Sequence, residues 1–292
     1  MEFTDKGVDN FIVLFYIRCI NKNPGGGMNG LKRSVVGVLL ILSSLALLVS
    51  CKGPSTKPPA PPEVTGERSP QQIKQIINER IRSIRTVEGQ LTIVSKGGPS
   101  PGRCKALLFF MRPNQLRLKA FQSLGPTLFD LLMEETTIQV YIPEQNKVFK
   151  ADLGEGKRKT GLSLTPLGLM KGILQVGIDE SDVLSLYEGP DGDLVLNHLK
   201  DGRLFKKTEV DPRSLFIKRE TLLGAGEKPY LITSYAEYKK TDGQWWPYRI
   251  ELNQPIEGQS MSFEFERVKT NIPIEPDVFK LDVPAGVTTI HQ

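Results

Sequence analysis

The chain has 292 residues, 39% of them hydrophobic and 24% charged, and a formal net charge of +5. Five basic and three acidic groups precede Cys51, so the remainder carries about +3, and Lys157-Arg158-Lys159 is its densest basic run; a nucleic-acid-binding stripe is denser than this. Three cysteines exclude a disulfide scaffold, and the length after Cys51 suits one large domain.

Met28 to Arg33 form a short positive segment, and Val35 to Val49 are apolar except for Gly37 and Ser43-Ser44. This run is shorter than the ~20 residues a spanning helix needs. It ends in Leu47-Leu48-Val49-Ser50-Cys51, which looks like a bacterial lipobox: a branched apolar residue, a small residue, then the cysteine that takes lipid. Residues 1–50 therefore read as a signal peptide and Cys51 as the lipidation site. Met28, preceded by Gly25-Gly26-Gly27, reads as the true start, because Met1 to Gly27 serve no signal-peptide purpose.

Residues 51–68 form a stem. Pro54, Pro58, Pro59, Pro61 and Pro62 favour extended polyproline II geometry. Ser69-Pro70-Gln71-Gln72 then opens a helix, with a capping serine, proline in the first turn and glutamine three residues after the cap. Ile73, Ile76, Ile77, Ile81 and Ile84 recur at helical spacing, and Lys74, Glu79, Arg82 and Arg85 take the opposite side.

From Val87 the period becomes two. Val87, Gly89, Leu91 and Ile93 alternate with polar residues, as do Leu116, Leu118 and Ala120. Trp246, Tyr248, Ile250 and Leu252 follow the same rule, and so do Met261, Phe263 and Phe265. Asp191-Gly192, Asp201-Gly202, Asp242-Gly243 and Glu257-Gly258 mark hairpin turns. The expected fold class is mainly β (α+β): a curved antiparallel half-barrel of ten or more strands over residues 69–292, with an N-terminal amphipathic helix. Leu167, Met170 and Ile173 fall on one face of a short helix that interrupts the strands and serves as a lid. The arrangement is a cup whose interior is filled either by side chains or by a ligand.

The order of these elements resembles the LolA/LolB lipoprotein-localisation family. The resemblance runs from Ser69 to Gly286 and rests on the helix, on Thr86 to Leu91, on Phe109 to Leu118, and on the ending Asn271 to Gly286. It implies an apolar cavity for acyl chains, lined here by Trp246, Tyr248, Ile250, Met261, Phe263 and Phe265. Cys51 tilts the resemblance towards LolB, which is itself an outer-membrane lipoprotein. Leu124, in Phe121 to Leu128, matches the protruding membrane-insertion loop of that group. Lys52 in place of aspartate implies delivery to the outer membrane, facing the periplasm. The implied partners are lipoprotein acyl chains, a soluble periplasmic LolA-like carrier and outer-membrane lipid, with no nucleic acid.

His198 and His291 are the two histidines, and neither has a companion at metal-ligand spacing; both are expected outside any metal site, His291 in a disordered terminus. No nucleophile elbow or phosphate loop occurs, so no catalytic residue, cofactor or enzyme activity is expected. Trp245 is expected outside the cup and Cys104 inside the core. The alternative to a lipid receptor is a structural or sensing envelope lipoprotein of the same fold, with a filled core and a protein partner.

Overall fold

The computed structural model describes residues 66, 68–97, 101–122, 125–135, 137–152, 173, 177–179 and 182–291. Cys51, Leu124, Leu167 and Met170, to which the sequence assigns roles, lie outside the described residues.

Helix α1 spans Pro70–Arg82. The Ser69 hydroxyl accepts from the Gln72 amide (3.3 Å), and the Gln72 side chain accepts in return from the Ser69 amide (2.9 Å), so two orphan donors of the first turn are paired. At the other end the Arg112 guanidinium donates to the carbonyls of Ile81 (2.9 Å) and Ile84 (2.7 Å). Ile73, Ile77, Ile81 and Ile84 are buried, and Ile76 is partly so.

The strands are β1 Thr86–Lys96, β2 Gly102–Met111, β3 Gln115–Phe121, β4 Thr127–Glu134, β5 Thr137–Ile142, β6 Lys147–Asp152 and β7 Val183–Glu188. They continue as β8 Leu194–Lys200, β9 Arg203–Val210, β10 Ile217–Leu223, β11 Pro229–Thr241, β12 Gln244–Gln254, β13 Gln259–Thr270 and β14 Thr288–His291. All fourteen form one open, curved sheet in the order β14-β6-β5-β4-β3-β2-β1-β13-β12-β11-β10-β9-β8-β7. It is two meanders, β1 to β6 and β7 to β13, joined where β1 pairs with β13. The Asp-Gly turns supply the left-handed backbone that tight hairpins need: Asp201 and Gly202 have φ of 51° and 71°, Asp242 and Gly243 of 47° and 83°.

One pair departs from the antiparallel expectation: β14 runs parallel to β6. The chain leaves β13, and its turn Pro276–Phe279 packs on β3, on the outer face. There Arg117 forms a two-pronged ion pair with Asp130 (2.9 and 2.5 Å) and donates to the Val278 carbonyl (2.7 Å). Leu132, Tyr141, Val148 and Phe279 are buried, though they lie outside the main core cluster. His291, expected to be disordered, sits in β14 opposite Lys150, because this strap brings the terminus back to the sheet edge.

The inner face carries the main core. Strand alternation places Val87, Leu91 and Ile93, then Ala106, Leu108 and Phe110, then Leu116, Leu118 and Ala120 in one apolar cluster with the isoleucines of α1. Cys104 belongs to the same cluster.

Candidate functional site

Three strands build the centre of the inner face. Phe263 lies opposite Ile93 on β1 and Ile250 on β12, and Phe265 opposite Leu91. Gly89 makes room for an aromatic ring: a Cβ there would stand 2.9 Å from Phe265 Cε1. Trp246 meets Phe265 edge-on with centroids 5.7 Å apart. Of the residues named as cup lining, Trp246, Ile250, Met261, Phe263 and Phe265 are all buried, between 0% and 6% exposed. Tyr248 is half-buried; its hydroxyl lies 3.2 Å from that of Thr241, and the Lys239 ammonium sits 4.2 Å above its ring. Ile173, named as lid, is fully buried in the same cluster.

Towards β7 the same face turns polar. His198, fully buried, places Nδ1 2.7 Å from Asp182 Oδ2 and Nε2 2.8 Å from the Thr208 hydroxyl. Beside it Lys206 donates to Glu220 (2.7 Å), whose other oxygen accepts from the Tyr235 hydroxyl (3.0 Å). Burial, and then Lys206, push the His198 imidazole below its usual range, against the pull of Asp182 and Glu220. A neutral ring in this setting donates from Nδ1 to Asp182 and accepts from Thr208 at Nε2. Burial works to raise the Glu220 carboxyl, but the Lys206 charge and the two hydrogen bonds outweigh it, and the carboxyl lies below its ordinary value. Burial, then Glu220, drive the Tyr235 phenol well up. Asp, His and Thr in this order resemble a nucleophile relay. Here both His198 and Thr208 are fully buried, so the trio ties the entry to β7 to strands β8 and β9 rather than presenting an attacking oxygen.

A cleft opens beside the C-terminal half of α1. Ile77, Ile81, Phe216, Tyr238 and Trp245 line it, with the Arg80 guanidinium 4.5 Å above the Phe216 ring. Arg80 also donates to the carbonyls of Ser214 (3.0 Å) and Leu215 (3.2 Å). Trp245, expected outside the cup, is half-buried here, 5.4 Å from Phe216. The strand pattern misleads because β12 itself breaks its alternation here: Trp246 and Pro247 are consecutive and both buried. The polar cluster also escaped sequence reasoning. Lys206 and Glu220 stand at inward positions of β9 and β10, but a charged residue reads as solvent-facing until its partner on the next strand is known.

The sequence matches no family model and no curated protein. Its backbone does match solved structures. A LolA superfamily protein from Nitrosomonas europaea covers 74% of this chain and 99% of its own, at 12% identity and a TM-score of 0.52. The chain has a LolA-like fold. A DUF1329 family protein from Desulfovibrio piger covers 72% and 95%, at 11% identity and a TM-score of 0.53. A domain named for outer membrane lipoprotein sorting, from Vibrio parahaemolyticus, covers 71% and 94%, again at 11% and 0.53. These identities speak to the LolA-like fold, not to the LolB subgroup that the sequence reading favoured.

Proposed function

We propose that this LolA-like chain is an outer-membrane lipoprotein that binds the acyl chains of other lipoproteins against its inner face and helps insert them into the outer membrane. The observation that carries the reading is the extent of that face: buried apolar side chains run across β1 to β6 and β12 to β13 of a sheet whose end strands, β14 and β7, do not pair with each other. Acyl chains gain about 0.8 kcal/mol per buried methylene on such a wall. Cys51 would hold the domain at the membrane, and the proline stem would set its reach. Leu124 would dip into lipid, while Leu167, Met170 and Ile173 would cover the cup. A soluble LolA-like carrier would deliver the cargo. The transfer is non-covalent, with no cofactor and no catalytic residue: cargo moves down an affinity gradient from carrier to cup to bilayer.

The test uses the mature chain with Cys51 replaced by serine and a fluorescent fatty acid. Saturable binding, displaced by an acylated lipoprotein peptide but not by its unacylated form, is the expected result. Absence of binding would overturn the reading. It would favour the second one, an envelope lipoprotein with a filled core and a protein partner, for which the near-complete burial of Trp246, Phe263 and Phe265 speaks.

A further inference from the structure

The indole nitrogen of Trp246 is buried, on a side chain only 3% exposed, and has no hydrogen-bond acceptor among the described residues. Buried N–H groups in native proteins are almost always paired, and an unpaired one is costly. The groups around this one cannot answer it. The ring stands edge-on to Phe265 and belongs to the apolar cluster of the inner face. The Lys239 ammonium across the strand pair is a donor like the indole itself, and it is engaged with the Tyr248 ring. A lone water is a poor substitute, since a buried water needs about two to four polar partners. The missing group is therefore a single acceptor carried on an otherwise apolar molecule.

We infer that Trp246 is a ligand-binding donor, and that its Nε1–H binds the carbonyl oxygen of an ester-linked acyl chain lying along β12. This rests on the acyl-binding reading above and sharpens it: the cup selects acyl esters over alkyl chains of equal length. Leu252 and Ile250, on the same face of β12, are fully buried in that cluster, so the hydrocarbon would lie along them by displacing the side chains that cover them.

The test compares 1-monopalmitoylglycerol with 1-O-hexadecylglycerol, which keeps the chain and the head but lacks the carbonyl. Each displaces a fluorescent fatty acid from the mature chain with Cys51 replaced by serine. The ester is expected to compete roughly tenfold better than the ether, the size of one net hydrogen bond, and Trp246→Phe is expected to erase that difference while alkyl binding persists. An unchanged ratio in Trp246→Phe, or no preference in the parent chain, would overturn the assignment. If the fluorescent fatty acid itself never binds, the acyl-binding reading falls and takes this assignment with it. A second readout does not depend on the folding of Trp246→Phe. In Trp245→Phe, Trp246 is the sole indole, and its emission should shift to the red with the ester and stay unmoved with the ether. Equal spectra for the two ligands would again overturn the proposal.

Discussion

His198 shows how one side chain can set the response of a whole sheet to acid. Its imidazole titrates lower in the fold than in the unfolded chain, through burial first and Lys206 second. Between the two values the unfolded chain binds more protons, so stability is intact above about pH 6.5 and falls as the pH drops through that window. The groups facing the ring include Asp182, Lys206, Glu220, Thr208 and the Phe205 ring, edge-on at 6.1 Å. Urea denaturation at pH 7.5 and at 5.5 should show a clear loss for the parent chain. His198→Asn should be less stable at pH 7.5 yet show a flatter profile; an unchanged slope would mean that carboxylates govern the acid response.

At the scale of elements, two devices can be weighed separately. Ser69→Ala removes the side-chain half of the capping box and should cost about 1 kcal/mol, measured as a shift in the denaturation midpoint. Arg117→Ala is harsher. It leaves Asp130, whose side chain is 4% exposed, as a buried charge without its cation, and it frees the Val278 carbonyl. Breaking such a pair costs about 3–5 kcal/mol. Hydrogen exchange should show the loss first in residues 272–291, the strap that ends in β14. Uniform loss across the sheet would contradict the strap's dependence on this pair.

The helix and most hairpins were legible in the sequence for local reasons. Isoleucines at helical spacing and Asp-Gly turns between alternating segments are short-range signals, and each is satisfied by its own neighbours. The features that stayed hidden are non-local. Thr288 to His291 hold no hint of a parallel partner some 140 residues earlier at Lys147 to Lys150. Asp182, His198, Thr208, Lys206, Glu220 and Tyr235 come from five strands or their flanks, and no spacing rule links them. The inner-face aromatics were found by parity alone, but parity cannot reveal the unanswered indole N–H of Trp246, which depends on what surrounds the ring.

At the scale of the whole molecule, the proposed function requires attachment as much as a cup. Cys51→Ser in the full chain should abolish incorporation of labelled palmitate; persistent labelling would place the lipid elsewhere. The join between the two meanders has a different consequence, one of time. Val87 pairs with Thr270 and Ser95 with Met261, so the middle of the sheet is made from the two ends of the domain. The first meander can assemble as soon as β6 is available, but one side of β1 then stays open until β13 arrives. Contacts so distant in sequence form slowly, and an unpaired strand edge is a template for unwanted pairing. The chain's most exposed moment is therefore the interval between the completion of its first half and the arrival of its last long strand.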